Sequence, residues 1–200
     1  MAGGPSARGV DLSKLSNIIA VNGSYLSIYP RPCVGVVSID RDFMGKHSVA
    51  IAELGFASLF LSRVGEHPCQ MWAKCRHFDV LPGLSENPLI AHTGGSSGAA
   101  ALNIAYHMRP RFIGLIGFDY DASGRHWYDE RSQPTNSRET WARWAAHYDT
   151  TAAQLQARGI EVVNFSEASR ITAFRRMPAA TIAEYLATIG AWTSEKQSAT

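Results

Sequence analysis

Glycine turns with neighbouring hydroxyls supply the first candidate chemistry in this sequence. GGPS at 3–6 exposes backbone N–H groups, and TGGSSG at 93–98 adds two hydroxyls. Where such a turn opens a helix, the free N–H groups and the positive end of the helix dipole attract a phosphate. The turns therefore predict an anion site made of Gly3, Gly4, Ser6, Ser96, Ser97 and Gly98.

Both turns also have plain structural interpretations. Ser96 or Ser97 fits the N-cap of the helix that follows, because a hydroxyl there accepts a bond from a free N–H group. GGPS fits a flexible amino-terminal turn. Phosphate-binding turns of this kind normally follow a strand, so either a strand lies outside this chain or the fold starts differently.

Two D-x-D motifs, DRD at 40–42 and DYD at 119–121, supply acidic groups. Carboxylates are hard ligands that suit Mg²⁺ or Mn²⁺, so this motif fits a divalent ion that holds a sugar-nucleotide diphosphate. The motif is short and often arises by chance. Asn22 follows an apolar run and fits either a hydrogen bond to a base or ribose or the end of a strand.

The seven histidines and three cysteines do not form a metal motif. No histidine pair has metal-ligand spacing and no CxxC pair occurs, so neither a zinc knuckle nor a disulfide framework is predicted. His126 and His147 flank a polar segment and suit general acid–base catalysis, although surface histidines would look the same. The sequence also lacks a nucleophile elbow, a Walker loop and G-x-G-x-x-G.

Alternating apolar runs and helical patterns predict an α/β fold with a mostly parallel sheet. Strands are predicted at 17–22, 33–40, 111–117 and 160–166, with weaker candidates at 57–62 and 69–75, and helices at 96–108, 141–159 and 178–190. Ligands of such sheets bind beyond the carboxyl ends of the strands. That edge would bring together Asn22, Asp40, Ser96, Ser97 and Asp119.

Composition favours one soluble domain over 1–200. Hydrophobic residues make up 46% and charged residues 18%, which argues against disorder, and a net charge of +2 does not establish a polyanionic partner. The longest apolar stretch, 49–61, is short and contains Glu53, so no membrane span is expected. No signal peptide is visible, and the cytoplasm is the expected location.

Three segments resemble one superfamily over most of the chain: GGPSARGVDLSKLSNIIAVNGSY, TGGSSGAAALNIAYHMRPRFIGLIGFDYD and VVNFSEASRITAFRRM. It contains bacterial lipooligosaccharide sialyltransferases, archaeal-type 6-hydroxymethylpterin diphosphokinases and uncharacterised phage-borne proteins. The ordered set G-x-P-S, V-N, S-G and G-x-D carries the resemblance. It implies a Rossmann-like sandwich with a lid after the G-x-D strand, at about 120–147.

The resemblance also implies roles for individual residues. Asn22 and Ser97 match nucleotide-contacting residues, and Asp40 stands where the sialyltransferases have another nucleotide-contacting asparagine. Gly117 and Asp119 match the G-x-D motif.

Three positions depart from the sialyltransferase pattern. Gly3 stands where the sialyltransferases have asparagine, and Asp121 where they have a phosphate-binding tyrosine. The lid histidine that serves as their base has two candidates here, His126 and His147, with Asp119 next in line.

We therefore expect a glycosyltransferase that uses a nucleotide-sugar donor, with Mg²⁺ or Mn²⁺ as an optional ion. The acceptor stays open between a saccharide and a hydroxymethylated base in DNA, the latter suggested by the phage-borne relatives. A diphosphokinase acting on a hydroxymethylpterin-like substrate is the alternative, and a non-catalytic nucleotide-binding module is the second. The sequence does not determine the sugar, the metal dependence or the oligomeric state.

Overall fold

Short parallel strands dominate the computed structural model, which describes residues 1–13, 15, 17–31, 33–60, 77–120 and 136–189. Every strand pair in these ranges is parallel. One sheet has the order β1-β2-β3, a second pairs β4 with β5, and a third has the order β6-β7-β8. The strands are β1 Ile19–Val21, β2 Gly35–Ser38, β3 Ser58–Phe60, β4 His77–Asp79, β5 Ile90–His92, β6 Phe112–Leu115, β7 Glu161–Asn164 and β8 Arg175–Arg176.

The first four residues connect two of these sheets. They run between β1 and β6 and form backbone hydrogen bonds to both sides. The bonds are Met1 N to Ile19 O (2.7 Å), Val21 N to Met1 O (2.9 Å), Ala2 N to Ile116 O (2.7 Å) and Gly4 N to Gly117 O (2.9 Å). The backbone hydrogen bonding is therefore continuous from β3 to β8. A 3-10 turn, Pro5–Ala7, follows.

Helices connect the strands and cover them. They are α1 Tyr25–Ile28, α2 Arg41–Glu53, α3 Ser97–His107, α4 Arg138–Ala157 and α5 at 182–189. Side chains of Asp40, Ser96 and Ser137 cap α2, α3 and α4 by accepting a bond from a first-turn N–H. In the described part of the chain, no helix is long and apolar enough to cross a membrane.

Neighbouring strand residues face two different apolar clusters, as the alternation of side chains along a strand requires. Val37 and Leu115 join the cluster that contains α3 and α4 residues, while Val36 and Ile116 join the one that contains α2 residues. The strands are thus covered by helices on both faces. α3 is buried over almost its whole length because its alanine-rich sequence offers little polar surface.

These observations confirm the expected mixed α/β class with parallel strands. The predicted strands at 17–22, 33–40, 57–62, 111–117 and 160–166 each contain an observed strand, and the three predicted helices exist. Helices α1 and α2 and strands β4, β5 and β8 were not predicted. The strand expected at 69–75 lies outside the described residues, as does 121–135 of the expected lid, while 138–147 forms the first half of α4.

Candidate functional site

The candidate residues that the structure describes lie just beyond the carboxyl ends of parallel strands or at the amino end of α3. Asn22 follows β1, Asp40 follows β2, and Asp119 follows β6. Ser97 begins α3, which packs on both β1 and β2. The expected convergence on one edge is therefore found, and hydrogen bonds connect its parts.

The amino-terminal turn is held by Asp119. Its Oδ2 accepts from Ser6 N at 3.2 Å and lies 2.9 Å from Ser6 Oγ, which in turn lies 2.7 Å from Ser166 Oγ. A Cβ atom on Gly4 would overlap this carboxylate, so the close approach requires glycine. Asp119 is buried, and its visible role is to anchor the GGPS turn to the end of β6.

Gly117 is the second glycine that this turn requires. It has a positive φ of 73°, and a Cβ atom there would overlap Ala2 O. Gly3, beside it, is buried. The G-x-D segment and the GGPS turn therefore form one packed unit.

Ser97 and Asp40 both bind backbone groups. Ser97 Oγ accepts from Ile39 N at 3.1 Å and so fastens the start of α3 to the end of β2. Asp40 Oδ1 accepts from Phe43 N at 3.0 Å as the cap of α2. Each of these side chains accepts a backbone hydrogen bond, and their nucleotide contacts stay predictions.

The start of α3 retains backbone donors. Ser96 Oγ accepts from Ala99 N at 3.2 Å, and Ser96 O accepts from Ala100 N at 3.2 Å. The N–H groups of Ser97 and Gly98 belong to the first turn, which has no intrahelical acceptors. No hydrogen bond from either N–H group to an acceptor is found within the described ranges, and both residues are buried.

Two buried tyrosines stand beside this helix start. Tyr120 OH lies 2.9 Å from Ser96 Oγ and 2.9 Å from Tyr148 OH. Burial raises the pKa of both phenols, that of Tyr148 well above its usual value. A Cβ atom on Gly98 would lie 2.7 Å from Tyr120 OH, so the absence of a side chain at Gly98 lets the tyrosine hydroxyls approach the helix closely.

Asn22 has an unusual backbone and an unsatisfied side chain. Its φ is +49°, in the left-handed region, and its Oδ1 is buried without a hydrogen-bond partner among the described residues. Asparagine tolerates this conformation better than most residues. A buried carbonyl oxygen beyond a strand end is a ready acceptor for a ligand donor.

His147 packs on the turn that leads into α3. A Cβ atom on Gly94 would overlap its Nδ1, and one on Gly95 would lie 2.8 Å from Trp144 Nε1. His147 Nδ1 is buried and has no partner in the part of the chain described. The other candidate base, His126, lies outside the described residues, and so does Asp121.

Sequence reasoning did not identify Asn103, Tyr120 or Tyr148 as site-forming residues. The amide of Asn103 accepts from Ser85 N (2.8 Å) and His92 N (3.3 Å) and donates to Gly83 O (3.1 Å) and His92 O (2.8 Å). It thereby positions the strand that leads into the glycine turn. A polar residue in the otherwise apolar run ALNIA was the available clue.

No group of three or more histidine, cysteine or acidic residues capable of holding a metal occurs in the described residues. Comparisons with protein-family models, curated proteins and solved structures found no match to this chain. The site is therefore interpreted from its own geometry.

Proposed function

We propose that this protein is a glycosyltransferase that uses a nucleotide-sugar donor and binds it at the carboxyl ends of the strands, within a Rossmann-like sandwich. The start of α3 supports this most directly, because the Ser97 and Gly98 N–H groups lie where α3 meets the ends of β1 and β2. Two first-turn donors at the positive end of an eleven-residue helix suit a phosphate. The unsatisfied Oδ1 of Asn22 would accept from the nucleoside.

His147 is the candidate base that lies among the described residues. It packs against Gly94, two residues ahead of the α3 N-cap, so an acceptor next to the bound diphosphate would approach its ring. In the proposed reaction the base removes the proton from the acceptor hydroxyl. The oxygen attacks the anomeric carbon, and the bond from that carbon to the nucleotide phosphate breaks.

Diphosphoryl transfer is the competing function and depends on metal-binding carboxylates. Asp40 Oδ1 and Asp119 Oδ2 both accept protein hydrogen bonds, so binding Mg²⁺ through either oxygen would compete with a cap or with the GGPS turn. This favours the glycosyltransferase. A non-catalytic module would bind nucleotide without turnover.

Thermal-shift measurements with CMP, UDP, GDP, ADP and ATP, each with and without Mg²⁺, test the nucleotide site. A ligand at a hundred-fold excess over its Kd stabilises by about 2.7 kcal/mol, or about 5–10 °C for a chain of this size. We expect at least one nucleoside diphosphate or monophosphate to raise the Tm, with or without Mg²⁺. A shift with ATP only in the presence of Mg²⁺ would indicate the diphosphokinase instead.

Ser97→Ala and Asn22→Ala locate the binding site. We expect each to weaken nucleotide binding by about 1–3 kcal/mol, since each removes a polar group at the strand ends. Ser58→Ala is the matched control, because Ser58 begins β3 and so lies at the opposite edge of the sheet. Equal affinities for all three variants would contradict this placement of the site.

His147→Ala tests the base. Turnover should fall by about 10²–10⁴-fold while nucleotide affinity changes little. His126→Ala serves as the comparison, and a selective loss there would reassign the role. Assays with a saccharide, a hydroxymethylated duplex and an unmodified duplex would then identify the acceptor, since only a substrate with a free hydroxyl gains the mass of a sugar.

A further inference from the structure

A cavity of about 520 Å³ continues the gap between β1 and β6 beyond Met1. Its wall is mainly apolar and includes Ile19, Ala101, Ala105, Phe112, Gly114 and Ile182. None of the residues assigned above to nucleotide binding or catalysis lines it. It is therefore separate from the proposed transferase site.

The width of this cavity is fixed by the sheet. Met1 bonds to β1, and Ala2 and Gly4 bond to residues that follow β6, so residues 1–4 occupy the single position between the two strands. Neighbouring strands lie about 4.8 Å apart, which sets β1 and β6 about 9.6 Å apart. The cavity continues this strand position alongside Phe112–Leu115. We call this space, which is one strand wide and lies between β1 and β6, the lane.

The backbone of β6 presents hydrogen-bonding groups to this lane. Arg111 O and Leu115 O accept bonds from the β7 side, whereas Ile116 O accepts from Ala2 N on the cavity side. Because backbone groups alternate in direction along a strand, those of Phe112 and Gly114 face the cavity. Phe112 and Gly114 are only partly exposed, and an extended chain in the cavity would supply partners for their backbone groups in register.

The cavity is apolar on both faces of the sheet. Ala101 and Ala105 of α3 line one side, and Ile182 and Leu186 of α5 line the other. Central strands of parallel sheets are buried on both faces and read as continuous runs of valine, isoleucine and leucine. The lining therefore favours apolar side chains on both faces of an occupant.

We propose that this cavity binds one extended apolar peptide strand, parallel to β1 and β6, with its carboxyl end at Met1. Backbone bonds to β6 supply the register, and β-branched side chains fill both faces. A strand joined to Met1 retains the bond to Ile19 O, because the amide N–H takes the place of an amino N–H.

Two extended forms of the full chain test the proposal. One carries VIVIV immediately ahead of Met1, and the matched control carries VPVPV, whose prolines remove two N–H donors. Both extensions convert the Met1 amine into an amide, so the loss of the charged amine is common to both and cannot account for a difference between them. We expect VIVIV to raise the Tm by at least about 5 °C over the control and to slow exchange of the Gly114 amide at least ten-fold.

Blocking the cavity supplies a second measurement. Ala105→Phe places a ring in the lane and should abolish the advantage of VIVIV over VPVPV, whereas Ala157→Phe, at the exposed end of α4, should preserve it. Equal Tm values for the two extended chains, or an advantage that survives Ala105→Phe, would overturn the proposal. If Ala105→Phe does not fold, the comparison of the two extensions decides.

Discussion

Removing the Tyr120 hydroxyl tests the tyrosine pair at the start of α3. In Tyr120→Phe, Ser96 Oγ and Tyr148 OH each lose a partner at 2.9 Å. Ser96 keeps its bond from Ala99 N, but Tyr148, only 1% exposed, has no water to replace the lost bond. A buried polar group left unpaired costs about 1–3 kcal/mol. We therefore expect a loss of about 2 kcal/mol and a Tm lower by about 4–8 °C.

The double variant distinguishes hydrogen bonding from general loss of packing. Tyr148→Phe alone should cost a similar amount, because it leaves the Tyr120 hydroxyl with one partner fewer. Tyr120→Phe/Tyr148→Phe removes both hydroxyls, so its cost should be at least about 1 kcal/mol below the sum of the single variants. Urea denaturation measures the free energy of unfolding of each variant. Tyr29→Phe is the control, because the Tyr29 side chain is half-exposed. Strict additivity would refute the proposed coupling.

Three further predictions concern buried polar groups. Burial raises the pKa of Tyr120 and Tyr148, so above about pH 10 the unfolded chain loses these protons at a lower pH than the folded chain does. The free energy of unfolding should therefore fall as the pH rises above about 10. The fall should be smaller in Tyr120→Phe/Tyr148→Phe. Asn164 is fully buried, and both atoms of its amide lack a partner within the described part of the chain. Asn164→Leu should therefore raise the free energy of unfolding by about 1–2 kcal/mol in urea denaturation, whereas Asn103→Leu, which removes a satisfied amide, should lower it by more than about 2 kcal/mol. Burial also lowers the pKa of the Met1 amino group from 8.0 to about 5. The unfolded chain alone binds that proton between those values, so stability should rise by about 1.4 kcal/mol per pH unit from pH 5 to 8, and acetylation of the amine should remove this component.

The sequence predicted the elements whose apolar pattern is strong. α3 and β6 lie within runs of small and branched apolar residues and were predicted within two residues at each end. α2 was not, because it buries only Met44 and Ile51 and leaves Val49 69% exposed, which gives a weak periodic pattern. The Asp40 cap and Gly55, with a positive φ of 75°, mark its ends and were the clues available.

Part of the set of residues at the site was predicted, and the nucleotide that they are expected to bind stays a prediction. The rule that strand ends converge placed Asp119 at the edge of the sheet, but it did not reveal that Ser6 of the GGPS turn bonds Asp119 across 113 residues. Such a pairing depends on how closely two backbones approach, which Gly4 permits and no periodicity encodes. The tyrosine pair was missed for the same reason.

The position of residues 1–4 in the sheet has a consequence for synthesis on the ribosome. Ala2 bonds to Ile116 and Gly4 to Gly117, so residues 1–4 cannot complete their pairing until more than half of the 200 residues have been synthesised. Closing so long a loop is entropically costly and slow. Until then the edge of β1 that faces away from β2 lacks its full set of partners. Such an unpaired edge in a growing polypeptide is exposed to pairing with other chains. Pausing of translation before β6 has left the ribosome would prolong that exposure, and pausing after it would not.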